Sequence, residues 1–240
     1  MKILLLGYGK MGRTIESIAI DRGHQIVGRI NIDNIDFLTQ FNGTNADVAI
    51  EFSQPDAAFE NIKYCLENNI PVISGTTGWL EKKPEIEALC KARVGTFFYA
   101  SNFSVGVNLF FKFNEQLARI MNDFDEYNVE IEEIHHTEKK DAPSGTAITL
   151  AEGILGNLNR KTGWINQPRG GKGDLVINSL REDRVPGTHT VKYASAIDDI
   201  EIKHTAHSRE GFAKGAVLVA EWIKDKKGVL NMDDFLQNYE

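Results

Sequence analysis

Short apolar runs alternate with segments of helical periodicity through the first part of the chain. Lys2–Leu6, Gln25–Ile30, Ala46–Phe52, Pro71–Ser74 and Thr96–Ala100 have the length and composition of strands. Between them, Ile15, Ile18 and Ala19 recur at helical spacing within Arg13–Arg22, and Gly23 follows as a helix stop. Pro55 opens a second helix through Phe59, Ile62 and Leu66, and Glu81–Ala92 forms a third. Strands that are apolar throughout, rather than every second residue, must be covered on both faces, so this half predicts a doubly wound parallel sheet of the Rossmann type.

The pattern changes after Val105. Val105–Met121 is helical and rich in Phe, which predicts a helix packed between layers. Strands then dominate, at Asn128–Ile134, Asp174–Ser179, His189–Ser195 and Asp199–His204. In the last, Ile200 and Ile202 alternate with Glu201 and Lys203. A half-apolar strand of this kind predicts a mostly antiparallel or mixed sheet with one open face, which a subunit partner would cover. Phe212, Ala216, Val219, Ala220 and Ile223 mark a closing amphipathic helix. The expected fold class is therefore α/β, an N-terminal Rossmann-type sheet followed by a central α+β domain.

Composition narrows the function classes. The net charge is −7 over 240 residues and no run of Lys and Arg makes an electrostatic track, which excludes nucleic acid as an expected partner. Ile3–Leu6 is too short for a secretory signal and no later run spans a bilayer, so no membrane is expected and a cytoplasmic enzyme fits. Cys65 and Cys90 lack a CxxC spacing or a neighbouring His; reduced buried thiols and no metal site are the expectation.

Two stretches carry candidate chemistry. Gly7-Tyr8-Gly9-Lys10-Met11-Gly12 stands between the first strand and the first helix, the context a dinucleotide fingerprint requires. Gly7 permits the turn, Gly9 lets the backbone approach a pyrophosphate, and Gly12 lets helix and strand lie close. At the end of the second strand, Asp33 would accept a ribose 2′-hydroxyl and favour NADH, whereas neutral Asn31 with Arg29 nearby would tolerate the 2′-phosphate of NADPH. Gly75-Thr76-Thr77-Gly78 and Ser101-Asn102-Phe103-Ser104 follow the fourth and fifth strands, so three glycine- or serine-rich turns converge on one sheet edge.

The second stretch is Glu132–Thr146, where His135 and His136 end a strand, Lys139, Lys140 and Asp141 follow, and Ser144-Gly145-Thr146 opens a helix. Successive strand residues face opposite ways, so only one histidine should face a given site. An imidazole, an ammonium and a helix start that seats anions suggest proton transfer to a small anionic molecule. The plain alternative is a hydrogen-bonded surface pair beside a helix cap. Pro168–Gly173 is a flexible loop by composition, either a lid bearing Lys172 or an ordinary surface loop.

Taken in order, the Gly7–Gly12 turn, Gly75-Thr76-Thr77-Gly78, Ser101–Asn108 and the His135-His136 block through Thr146 strongly resemble the dihydrodipicolinate reductase family, the 4-hydroxy-tetrahydrodipicolinate reductases of bacterial lysine and diaminopimelate synthesis. The resemblance spans essentially the full length. It implies a dinucleotide-binding domain over residues 1–104 completed by a C-terminal helix at 209–240, a substrate and oligomerisation domain over 105–208, and a homotetramer. It also implies reduction of a small cyclic dicarboxylate by NADH or NADPH with loss of water. Carried over by motif, Gly7, Tyr8, Gly9, Lys10, Met11 and Gly12, the Asn31 and Asp33 corner, Gly75, Thr76 and Thr77, and Ala100, Ser101, Asn102 and Phe103 would bind the nucleotide. His135 would donate the proton with Lys139 as its cationic partner, while His136, Ser144, Gly145, Thr146 and Arg181 would grip the substrate. Two positions depart from the family pattern: Asn31 replaces the usual acid, and Asp183 stands where glycine is common after the arginine. The competing readings are another two-domain NAD(P)-dependent dehydrogenase, a nucleotide-sensing protein without turnover, and a metal-dependent hydrolase using His135, His136 and Asp141.

Overall fold

The computed structural model describes residues 1–208 and 210–237. The chain forms two compact units, the first comprising Met1–Val105 and the chain from Glu210 onward, the second beginning at Gly106.

In the first unit β1 (Lys2–Leu6), α1 (Lys10–Asp21), β2 (Gln25–Ile30), β3 (Val48–Glu51), α2 (Pro55–Glu67), β4 (Val72–Ser74), α3 (Lys83–Ala92) and β5 (Thr96–Tyr99) follow one another much as the apolar pattern predicts. All strand pairs are parallel. Ile3 and Leu5 pack on one face with Ile15, Ala19 and Val48, and Leu4 and Leu6 on the other with Ala49, Ile62 and Val72. Burial on both faces is why the strands are continuously apolar.

The segment expected as one terminal helix at 209–240 is instead α6 (Glu210–Ile223), a strand β11 (Gly228–Leu230) and a short helix α7 (Met232–Leu236). Its ends, residues 209 and 238–240, lie outside the described residues. Asn231 starts α7 with a capping box, its side chain accepting from Asp233 and Asp234 while Asp234 accepts from the Asn231 N–H. β11 pairs with β5 and makes the sheet six-stranded, in the order β11-β5-β4-β3-β1-β2. The strand order reverses beside β1, where β2 and β3 flank it. That reversal opens a crevice at the carboxyl ends, the usual ligand position in such sheets.

The second unit contains most of α4 (Val105–Met121), then β6 (Asn128–His135), α5 (Gly145–Leu155), β7 (Gly163–Ile165), β8 (Asp174–Arg181), β9 (Gly187–Ala194) and β10 (Asp199–Ala206). Its sheet runs β10-β9-β6-β8-β7. β9 is antiparallel to β6 and β10, whereas β8 is parallel to β6 and β7, so the sheet is mixed. Phe110, Ala118 and Met121 of α4 and Ala147, Leu150 and Ile154 of α5 cover Val129, Ile131, Ile177 and Val191. α4 is less enclosed than its composition suggests, since Phe113 is 57% exposed and Ile120 61%. On β10 only alternate residues are partly buried, and Ile200 remains exposed.

Candidate functional site

Parallel pairing continues past the strand ends and gathers the first unit's turns. Gly7 donates to Ile30, Phe52 to Leu6, Gly75 to Glu51 and Ala100 to Ser74, so the turns after β1, β3, β4 and β5 share one edge. Gly7 has φ +94°, and a Cβ on Gly12 would lie 2.3 Å from the Gly7 carbonyl oxygen. Only glycine fits this approach of α1 to β1. No side chain caps α1 at Gly9. With Lys10 and Met11 in its first turn, the helix start offers an anion seat suited to a pyrophosphate.

The ribose corner is occupied by side chains that hold one another. The Glu16 carboxylate accepts from Arg29 and from the Tyr8 hydroxyl, and the guanidinium groups of Arg13 and Arg29 lie over the Tyr8 ring. The Arg29 hydrogen bond holds Glu16 below its ordinary range, and Glu16 in turn raises Arg29. Asn31 caps the following 3₁₀ segment, accepting from the Asp33 N–H at 2.8 Å, while Asp33 itself is exposed.

Sequence reading overlooked Glu51. Fully buried at the end of β3, it accepts from the Ser53 N–H and hydroxyl at 2.8 and 2.5 Å, the Thr76 hydroxyl at 2.8 Å and the Ser74 hydroxyl at 2.6 Å. It thereby ties the β3 turn to Gly75-Thr76. Thr76 is buried by this bonding while Thr77 stays exposed. Ala100 and Phe103 are also buried, the Phe103 ring packing at a tilt against Phe52 and Phe98, whereas Ser101 is exposed and Asn102 half-buried. Ser101 and Thr77 are exposed in these turns, while the Asn102 side chain accepts from the Ser104 N–H at 2.8 Å.

In the second unit the alternation of β6 places Val129, Ile131, Glu133 and His135 on its covered face. His135 is buried at the strand end. His136, beyond the strand, borders a cavity of about 320 Å³ with Glu138, Arg184, Val185, Pro186 and Ser208. Lys139 is held by Asp141 at 2.8 and 2.9 Å, and that hydrogen bond lowers the Asp141 carboxyl. Arg181, expected to reach a ligand, donates to the carbonyls of Asp141 at 2.6 Å and Lys139 at 3.4 Å, which secures the loop carrying the lysine. Ser144 is buried too. Its hydroxyl accepts from Ala147 as the α5 cap and lies 3.0 Å from His189 Nε2. Gly145 is exposed and Thr146 half-buried, so the accessible part of this helix start is theirs.

A fully buried carboxylate joins these parts. Glu133 accepts from the Ser144 N–H at 3.1 Å through each oxygen and from the Ser179 hydroxyl at 2.7 Å. His135 Nδ1 stands 3.3 Å away, Arg181 Nη1 3.6 Å and His189 Nε2 3.7 Å. Burial alone would raise this carboxyl, but His135, His189, Ser144 and Ser179 together hold it far below 4.5. His189 is lowered from 6.5, chiefly by burial. Neither Glu133 nor His189 was named from the sequence. The alternation of β6 could have marked Glu133 as a charge on an apolar face. Nothing local marks His189 or Ser179, which reach Glu133 because strand register sets them directly opposite it.

Glu133, His135 and His189 offer ligand atoms within 4.8 Å of one another, close enough for a metal ion to bridge. Both carboxylate oxygens already accept hydrogen bonds, however, from Ser144 and Ser179, and His189 Nε2 lies 3.0 Å from the Ser144 hydroxyl. His136 and Asp141 are not part of it. Among the described residues no helix is long and apolar enough to cross a membrane.

Residues 1–103 match the family described as "Dihydrodipicolinate reductase, N-terminus" and residues 106–236 that described as "Dihydrodipicolinate reductase, C-terminus". A 4-hydroxy-tetrahydrodipicolinate reductase of Christiangramia forsetii is 51% identical, covering 99% of this chain and 98% of its own. Among solved structures, a dipicolinate-bound dihydrodipicolinate reductase from Paenisporosarcina sp. TG-14 superposes with TM-score 0.80 at 23% identity, over 96% of this chain and 97% of that one. An oxidoreductase from Sinorhizobium meliloti shares the general fold at TM-score 0.55 and 12% identity, over 99% and 94% of the two chains.

Proposed function

Since this chain belongs to the dihydrodipicolinate reductase family, we propose that it performs the family's reaction with His135 as proton donor and Lys139 as the neighbouring fixed cation. It is a pyridine-nucleotide-dependent oxidoreductase, converting 4-hydroxy-tetrahydrodipicolinate to tetrahydrodipicolinate with loss of water in lysine and diaminopimelate biosynthesis.

The nucleotide is held by the Gly7–Gly12 turn and the start of α1 at its pyrophosphate, and by Thr77, Ser101 and Asn102 on the nicotinamide side. The uncapped helix start and the glycine contact that a Cβ would fill are what fit the group to this edge. When bound, it would supply a hydride to one end of the conjugated C=C–C=N system that forms when the 4-hydroxyl and a neighbouring proton of the substrate leave as water. The chain's own residues do the rest. Negative charge left in that system is met by a proton from the His135 imidazole. Lys139 faces the developing charge from a loop fixed by Arg181. The Gly145 and Thr146 N–H groups at the start of α5, with His136, take the substrate carboxylates. Ser144 and Arg181 contribute by shaping the seat, since their polar groups are engaged within the protein.

Both NADH and NADPH are accepted in this reading. Asn31 presents no carboxylate to repel a 2′-phosphate and Arg29 lies at the same corner, while exposed Asp33 remains able to accept a ribose hydroxyl. A thioester mechanism of the semialdehyde dehydrogenase type has no candidate nucleophile, because both cysteines are buried and burial raises both thiols.

The observation carrying the proposal is the gathering of the His135 imidazole, the Lys139 loop and the start of α5 around one buried carboxylate. Oxidation of NADH and of NADPH with freshly prepared substrate tests it. His135→Gln should lower turnover by roughly 10²–10⁴-fold with little change in nucleotide affinity. Turnover equal to wild type would remove His135 from the mechanism and leave a nucleotide-sensing role to explain the fold.

A further inference from the structure

Glu133 has no accessible surface and lies beside Val129 and Ile131 on the covered face of β6. An ionised carboxylate there costs several kcal/mol unless its oxygens are satisfied and a charge faces it. Oε1 accepts from Ser144 and Ser179, and Oε2 accepts from Ser144. Oε2 is also the oxygen nearest both imidazoles, with His135 Nδ1 at 3.3 Å and His189 Nε2 at 3.7 Å.

The two rings differ in what else they touch. His189 Nε2 is 3.0 Å from the Ser144 hydroxyl, whereas His135 Nδ1 is buried and makes no hydrogen bond, with Glu133 Oε2 standing 3.3 Å from it. His189 meets His135 edge-on, with centroids 5.0 Å apart and planes at 73°, which fixes the plane of the His135 ring. The opposite nitrogen, Nε2, adjoins Gly187, where an added Cβ would come within 3.0 Å of it.

We propose that Glu133 is a positioning residue for the proton donor: it accepts from His135 Nδ1–H, fixes the tautomer that presents Nε2, and favours the protonated ring, while Gly187 keeps Nε2 uncovered. The inference rests on the reading of His135 as proton donor. The geometry matches the general case in which a buried carboxylate orients a working imidazole without itself changing protonation. The charged and titratable groups set against His135 are Glu133 from its own strand, Arg181 opposite it on β8 and His189 from β9. Of these only Glu133 is negative, so its removal has one direction. Asp141 is occupied by Lys139.

The test is a titration of the His135 ring by NMR in the full chain labelled at histidine, assigned by loss of its signal in His135→Gln. In Glu133→Gln the His135 titration should move down by about one pH unit or more, and the corresponding limb of the kcat/KM profile should move with it. The nucleotide KM should stay within about twofold while kcat falls about tenfold or more. An unmoved titration and pH profile would make Glu133 a structural residue only and overturn the proposal. Should Glu133→Gln not fold, Gly187→Ala decides. A lowered kcat with unchanged nucleotide KM and an intact His135 titration supports the proposal, and wild-type kcat refutes it. The underlying reading fails separately: active His135→Gln refutes it whatever the titration shows, whereas inactive His135→Gln with an unshifted titration in Glu133→Gln refutes only the inference.

Discussion

At the scale of single residues, the side chains that matter most are those held by another. Arg29 is one. Its guanidinium is shared between Glu16 and the face of Tyr8, at the corner where a 2′-phosphate would lie. Arg29→Ala should therefore raise the KM for NADPH about tenfold and leave that for NADH within about twofold, the size expected for one charged hydrogen bond to phosphate. Equal effects on both nucleotides would place the 2′-phosphate elsewhere. Arg181 and Ser144 teach the same lesson. Both residue types suit carboxylate binding, and the resemblance assigns them to it; in the structure their polar groups also hold the Lys139 loop and the start of α5. A residue's chemistry is legible in sequence; its partner is not.

Among elements, β6, β8, β9 and the start of α5 meet at Glu133, so their packing depends on that carboxylate staying ionised. Its pKa is depressed in the folded state. The unfolded chain takes up a proton near 4.5 while the native state does not, and stability falls as pH drops below about 4.5. His189 is depressed as well, from 6.5. Here too the unfolded chain binds the proton first, so the loss begins near pH 6.5 on acidification. Thermal melts should show a falling Tm from pH 7 to 4, and His189→Asn should delay the decline toward 4.5. A Tm unchanged between pH 7 and 5 in the wild type would contradict the His189 contribution. Element boundaries followed the apolar pattern closely in the first unit, because both-face burial leaves an unbroken signal. The terminal segment was harder to read. β11 is three residues long, too short for periodicity, and exists by pairing with β5.

For the whole molecule, assembly is the open consequence of the second unit. Ile200 on β10 and Leu180 on β8 are exposed apolar residues of its sheet, at 39% and 42%. The family resemblance implies a homotetramer, and covering such residues is what association would achieve. Light scattering of the purified protein at micromolar concentration should give four times the 26.9 kDa chain mass. A stable monomer would refute it.

The sequence by itself determined the parallel sheet, the glycine turn between β1 and α1, and the placing of a histidine strand end beside a capped helix start. Each is written in neighbouring residues, through burial period, backbone freedom at Gly7 and Gly12, or the cap at Ser144. Only the tertiary structure decided that Glu133 would lie between Ser179 and His189, and that Glu51 would bind two turns together. Ser179 is 46 positions from Glu133 along the chain. Cross-strand neighbours are chosen by register, and register is fixed by the packing of the entire sheet against its helices, which no local stretch of sequence contains.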